Sequence, residues 1–282
     1  MSFWTRRHKN LAGLLLAPAV LYGLLRLFEH RLTYVPTRAH EAHPQELGRA
    51  WEDLTLITSD HVRLHAWFFP ADADSTRRGL VFLVAHGNGG NLSHRLGLAA
   101  VLLRTGANVL LFDYRGYGRS DGVPGEQGTY RDAEAALAWL RGRGFASTNV
   151  IAWGESLGGA VATELATRHP LAGLVLQSSF TSTPDLGKEL FPWLPVHTLA
   201  HYRYETLRKL PALKLPVLVL HSRHDTIIPF HHGERNFAAV TGPKLFVELE
   251  GDHNDPVEQE PAFAAGLEKF LALVEAVPRP GL

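Results

Sequence analysis

Residues 149–159 read Asn-Val-Ile-Ala-Trp-Gly-Glu-Ser-Leu-Gly-Gly, NVIAWGESLGG. A continuous apolar run, Val150–Trp153, meets Gly154-Glu155-Ser156-Leu157-Gly158, and a segment of helical period rich in small residues continues to Arg168. An uninterrupted apolar run between polar boundaries is the pattern of a strand buried on both faces. A Gly-x-Ser-x-Gly turn from such a strand into a helix holds the serine hydroxyl exposed above the sheet, and its glycines avoid the clashes of so sharp a reversal. The helix start adds backbone N–H groups and the positive end of its dipole. Ser156 is therefore the candidate nucleophile; an ordinary glycine-rich turn is the alternative reading of the five residues taken alone.

Working outward, the same kind of apolar run recurs at Leu80–Ala85, Val109–Phe112, Leu171–Leu176, Val217–Leu220 and Leu245–Leu249. Helix-period segments lie among them at Arg95–Arg104, Tyr130–Arg143, Leu157–Arg168, His232–Val240 and Pro261–Val277. Strands alternating with helices predict an α/β domain over 51–282, with a mostly parallel sheet covered on both faces. Trp51–Leu56 and Val62–Phe69, partly alternating and separated by Ser59-Asp60, predict an antiparallel pair at its start.

Composition narrows the function classes. The 282 residues are 45% hydrophobic and 20% charged, which suits a globular fold with a sizeable core. With 28 basic and 28 acidic residues and no local basic patch, a nucleic-acid partner is not expected. There is no Cys, so disulfides, cysteine nucleophiles and thiolate metal sites are excluded. The 16 histidines are scattered from His8 to His253 without a His-Glu-x-x-His signature, and neither a metal nor an organic cofactor is expected. No glycine-rich loop carries the Lys-Ser or Lys-Thr ending of a phosphate-binding loop.

A serine hydroxyl needs a base, and the base needs an orienting carboxylate. With the serine first in chain order, both belong on loops after later strands. Val217–Leu220 runs into His221-Ser222-Arg223-His224-Asp225, and Leu245–Leu249 into Glu250-Gly251-Asp252-His253-Asn254-Asp255. Asp225 is the candidate acid and His253 the candidate base. Asp252 adjoins the histidine and reaches its ring poorly, whereas Asp255 is suited to cap the helix that follows Pro256. An oxyanion also needs preorganised donors. The backbone N–H of Leu157 and that of Asn88, in His86-Gly87-Asn88-Gly89-Gly90-Asn91 after Leu80–Ala85, are the candidates. His86 is expected to brace this loop by a hydrogen bond. Asp113–Ser120, DYRGYGRS, reads as scaffolding that borders the substrate.

Taken together, HGNGGN, DYRGYGRSDG, GESLGG, HDTIIP and GDHND resemble the membrane-anchored α/β-hydrolases of the Bem46-like group, which includes ABHD13- and ABHD17-like proteins. The resemblance runs from about Leu54 to the end. It implies the α/β-hydrolase fold and, by motif position, Ser156, Asp225 and His253 as catalytic residues. His221-Ser222 departs from the His-Gly of many relatives. Esterases, protein thioesterases and proteins labelled peptidases all occur in the group, so the fold does not fix the substrate. The expected chemistry is hydrolysis of a carboxylic ester or thioester, on a small acyl compound, a lipid or an acylated protein. The alternatives are a peptidase or amidase with the same residues, and an inactive tethered scaffold. Between Ser179 and Leu213 lies room for a short lid, whose apolar residues Phe180, Leu186, Leu190, Phe191 and Trp193 suit either an acyl pocket or ordinary packing.

The N-terminal stretch adds a location. Arg6, Arg7 and Lys9 precede an apolar run from Leu11 to Leu25, without a small-x-small cleavage site after it. Residues 1–32 are read as a single-pass anchor of borderline length, with a buried or surface helix as the alternative. The basic residues before and after the run are nearly balanced and lean toward an inside N-terminus. Residues 33–50, rich in Pro, His and Glu without periodicity, are read as a linker.

Overall fold

The computed structural model describes residues 3–255 and 257–277, with side chains from residue 18 onward. Two compact units divide it, residues 1–35 and 36–282.

The first unit is mainly helix α1, Phe3–Thr33. Pro18 lies within α1, an Arg26–Glu29 ion pair at 2.9 Å stands on it, and the Thr33 hydroxyl donates to Glu29 O. Among the described residues no helix is long and apolar enough to cross a membrane. The expected span is therefore not found there: in 18–33 the charges of Arg26, Glu29 and Arg31 interrupt the apolar run, and the side chains of its first part, 11–17, lie outside the described residues. Several apolar side chains of α1 are nonetheless open to solvent, Leu21 at 59%, Tyr22 at 58% and Leu24 at 58%.

The second unit is built on an eight-stranded sheet: β1 Glu52–Ile57, β2 Arg63–Phe69, β3 Val81–Ala85, β4 Asn108–Phe112, β5 Val150–Glu155, β6 Gly173–Gln177, β7 Val217–Ser222 and β8 Lys244–Leu249. The order across it is β8-β7-β6-β5-β3-β4-β2-β1, and only the β1/β2 and β2/β4 pairings are antiparallel. The apolar runs of β3 to β7 became strands covered on both faces, whereas β8, at the sheet edge, is largely half-buried or exposed. Val81, Phe82, Val109, Leu110, Val150 and Ile151 are all fully buried although neighbours point to opposite sides.

One face packs Trp67, Phe82, Val84, Leu111, Trp153, Val175 and Leu218 against α2, Leu96–Arg104, and α9, Pro261–Ala276. Helix α3, Glu126–Gly142, and helix α4, Leu157–Arg168, pack on each other, and α4 lies against β5. Trp153 sits at the centre of the first layer, edge-on to Phe82, with its indole N–H donating to Gln177 Oε1. Truncation of so large a buried ring costs about 3–5 kcal/mol. The lid consists of α5, Thr183–Leu190, and two single turns, α6 Val196–Leu199 and α7 Thr206–Lys209. Helix α8, His231–Ala239, precedes β8.

Residues 36–49, part of the stretch 33–50 read as a linker, are laid onto the domain. Arg38 donates to Gly118 O and Ser120 O, Asn91 Nδ2 donates to Thr37 O and Ala39 O, and the rings of His40 and His43 contact Trp67. These ties join side chains to backbone and leave no periodic trace in sequence.

Candidate active site

The turn after β5 is strained at one residue. Ser156 has φ 52° and ψ −115°, a left-handed conformation unusual for a side-chain-bearing residue. It persists because the surroundings over-determine it: Ser156 N donates to Gln177 O at 2.8 Å, and Ser156 O accepts from Gly159 N and from Ser179 Oγ, both at 3.0 Å. The glycines are sterically required. A Cβ on Gly154 would stand 2.4 Å from Gly158 O, and one on Gly158 would stand 1.9 Å from Ala85 O. Side chains at either position would force β5, α4 and the end of β3 apart.

Three polar side chains converge above this turn. His253 Nδ1 lies 2.7 Å from Asp225 Oδ2, and His253 Nε2 lies 3.2 Å from Ser156 Oγ. With Nδ1–H donated to the carboxylate, Nε2 is left to accept the serine proton. Asp225 is held by its own loop, Oδ1 accepting from Ile227 N at 3.0 Å and from Ile228 N at 2.7 Å. Its side chain is wholly buried and that of His253 nearly so, so the pair sits in a medium that strengthens the contact.

The neighbouring acids take other places. Asp252 accepts from Thr226 N, Thr226 Oγ1 and its neighbour's His253 N, joining the acid loop to the histidine loop. Asp255 accepts from Asp252 N at 2.8 Å, closing the turn that presents His253. That bond takes one oxygen of the expected helix cap, and Pro256 lies outside the described residues. Ser222 also has a use, because its hydroxyl accepts from His224 N at 3.0 Å and braces the acid turn. His221 Nε2 donates to Ile228 O, and burial pushes its pKa below the usual imidazole value.

The loop carrying Asn88 lies beside the serine. A Cβ on Gly87 would be 3.5 Å from Ser156 Cβ and 3.1 Å from Glu155 Oε1. His86 Nδ1 donates to Gly87 O at 2.7 Å, the bracing contact expected of it. Leu157 is the first residue of α4, where N–H groups have no acceptor within the helix. The DYRGYG segment, expected as scaffolding, acts through two tyrosines. Tyr114 donates to His86 O and Tyr117 to Asn88 O, each at 2.8 Å, so the DYRGYG segment holds the Asn88 loop from below. Both rings are fully buried in a segment read as loop, a signal that aromatic spacing could have supplied. Arg95 pairs with Glu155 at 2.6 Å beside the same turn.

The apolar side chains of the lid divide between inside and outside. Phe180 is buried, but Leu190 is 55% and Trp193 77% exposed. A groove of about 670 Å³ runs between the start of α3 and the lid's second half, lined by Glu126, Tyr130, Glu164, Tyr202, Arg203 and Lys209.

The sheet order, the single antiparallel strand within it and the strained serine turn between β5 and α4 define an α/β-hydrolase. The family described as alpha/beta hydrolase fold matches over residues 81–200. Protein bem46 of Schizosaccharomyces pombe is 31% identical over 74% of both chains. Membrane protein YNL320W of Saccharomyces cerevisiae is 30% identical over 91% of this chain and 94% of its own. Protein Rv2307c of Mycobacterium tuberculosis is 41% identical over 81% of both. The Pyrococcus furiosus esterase Pf2001 shares the fold, with a TM-score of 0.69 and 20% identity, covering 86% of this chain and 98% of the other. The chain belongs to the Bem46-like family of α/β-hydrolases.

Proposed function

We propose that the protein hydrolyses carboxylic esters or thioesters through a serine acyl-enzyme. The observation that carries this reading is the unbroken hydrogen-bond line from Ser156 Oγ through His253 to Asp225, 3.2 Å and then 2.7 Å. Ser156 Oγ attacks the substrate carbonyl carbon as its proton passes to His253 Nε2. The carbonyl oxygen takes the negative charge and is held by the Leu157 and Asn88 N–H groups, aided by the start of α4. Collapse expels the alkoxide or thiolate, which takes the proton from His253. Water then attacks the acyl-enzyme, His253 accepts its proton, and the acid is released as Ser156 regains its hydroxyl. Asp225 keeps Nδ1 protonated throughout and stabilises the imidazolium. The open lid with its exposed Leu190 and Trp193 favours an acyl group presented at a surface, as in a lipid or an acylated protein, over a small substrate enclosed in a cavity.

Residues 1–32 are proposed to attach the protein to a membrane. The solvent-open Leu21, Tyr22 and Leu24 and the similarity to a yeast membrane protein support this reading. Cell fractionation with an alkaline carbonate wash tests it; recovery of the whole chain in the unwashed supernatant overturns it.

The catalytic test uses a fluorophosphonate probe and p-nitrophenyl esters of rising chain length on wild type and Ser156→Ala. Labelling and turnover lost only in the variant are expected. Folded wild type without labelling points to an inactive scaffold, and comparable turnover of matched amides points to an amidase.

A further inference from the structure

We propose that His40 Nε2, His65 Nδ1 and Asp113 Oδ2 form a binding site for a divalent transition-metal ion with zinc-like preference, behind the loop that carries Asn88. The three residues come from separate parts of the domain: His40 from the docked segment 36–49, His65 from β2 and Asp113 from the end of β4. Their donor atoms all lie within 4.8 Å of one another. His40 Nε2 is 3.9 Å and His65 Nδ1 is 4.0 Å from Asp113 Oδ2, and the three side chains are 8%, 8% and 0% exposed.

Hydrogen-bond accounting shows what such a cluster needs. His65 Nε2 faces Asp53 Oδ1 at 2.5 Å; an ionised carboxylate only accepts, so the ring donates there, and in the neutral ring Nδ1 turns inward as a lone pair. His86 spends its Nδ1–H on Gly87 O, which leaves Nε2 as another lone pair, 3.4 Å from Asp113 Oδ1. Asp113 Oδ1 accepts from Leu92 N at 2.7 Å, but among the described residues Oδ2 accepts from nothing, and neither His65 Nδ1 nor either nitrogen of His40 has a hydrogen-bond partner. With the rings neutral, a buried carboxylate oxygen faces imidazole nitrogens with no proton between them, an arrangement that is costly without positive charge there.

The spacing suits a metal better than a proton. Separations of 3.9 and 4.0 Å exceed any N–H···O bond, whereas donors around a tetrahedral zinc with bonds of about 2.0–2.2 Å stand about 3.3–3.6 Å apart. The two imidazole–carboxylate separations exceed that range by a few tenths of an ångström, all three donors lie within 4.8 Å of one another, and binding would also turn the stacked His40 and His65 rings toward the ion. Two imidazoles and a carboxylate match the same class of ion, and Asp53 behind His65 makes the carboxylate–histidine–metal relay that fixes a ligand's tautomer. Gly118 leaves the room: a Cβ there would stand 2.0 Å from Asp113 Oδ2 and 3.1 Å from His40 Nε2. The ion would bind together the 36–49 segment, β2 and β4, and through Asp113 and Leu92 N it would steady the Asn88 loop.

The test uses untagged full-length protein in detergent, stripped with dipicolinate and dialysed, then titrated with Zn²⁺ or Mg²⁺ and followed by calorimetry and thermal unfolding. One equivalent of Zn²⁺ bound with a raised Tm is expected, with no response to Mg²⁺. His40→Ala should weaken Zn²⁺ at least tenfold, and Asp53→Asn about 10–100-fold, the range for an outer-shell partner. Asp53 is half exposed, so its variant remains informative if ligand variants fail to fold. His231→Ala, in the separate Glu189–His231–His232 group, should leave binding unchanged. Absence of a stoichiometric Zn²⁺ response overturns the proposal, as does affinity unchanged by both His40→Ala and Asp53→Asn. These readouts do not depend on ester hydrolysis, so a failure here is separable from a failure of the catalytic reading.

Discussion

Asp225 and Asp113 are both buried aspartates just beyond sheet strands, and both face imidazole, yet their surroundings are opposite in kind. Asp225 has both oxygens filled, by Ile227 N, Ile228 N and His253 Nδ1, and the histidine stands at hydrogen-bond distance. Asp113 has one oxygen filled by Leu92 N, while the other looks across about 4 Å at two ring nitrogens. The difference shows that the pairing of Asp with His does not itself fix the chemistry. A ring N–H aimed at a carboxylate gives an oriented base, whereas lone pairs aimed at one give a place for a cation.

The comparison breaks most sharply at the nucleophile. Ser156→Ala should lower kcat/KM for a short-chain ester by about 10⁵–10⁶-fold with Tm almost unchanged. Next, Asp225→Asn should cost about 10³–10⁴-fold by favouring the wrong tautomer of His253. In Ser156→Ala the same change should add little, whereas a loss under tenfold from Asp225→Asn alone in steady-state kinetics would remove Asp225 from the line.

Asp113→Ala should act on stability before activity. Urea unfolding is expected to show a loss of about 2–4 kcal/mol, because Leu92 N loses its acceptor inside the protein. A wild-type unfolding curve would place this aspartate outside the fold's supports.

Acid should expose a third kind of histidine. Burial lowers the pKa of His221 and takes that of His232 from 6.5 to about 4, so the folded state keeps both rings neutral. Unfolded chains bind protons below 6.5, and the contribution is therefore complete above that pH and lost as pH falls toward about 4. Tm should drop by a few degrees across that window, and less steeply in His232→Gln. The smallest effect is expected from Tyr117→Phe, which releases Asn88 O and should lower kcat several-fold with little change in KM.

Most of the sheet was legible because parallel strands buried on both faces write continuous apolar runs, as at Val109–Phe112 and Val217–Leu220. Ser156 could be proposed from its Gly-x-Ser-x-Gly turn, and Asp225 and His253 from their places on loops after later strands. The segment 36–49 was not legible, because its hold on the domain passes through Arg38 and Asn91 to backbone carbonyls and has no period to read. The histidine cluster escaped for a related reason: His40, His65, His86 and Asp113 lie far apart in sequence, and only the strand order together with the docked segment brings them together. The lid stayed open between pocket and packing, since apolar composition does not say whether Trp193 turns inward or, as found, outward.

The docked segment also decides where this chain can be shortened. A truncation starting at Trp51, the natural choice from composition, would take away the three acceptors of Asn91 Nδ2, Thr37 O, Thr37 Oγ1 and Ala39 O. It would also uncover Trp67, now 1% exposed beneath His40 and His43. A preparation cut there would carry a greasy, thirsty flank and tend to aggregate, whereas one cut just before Pro36 keeps its coat.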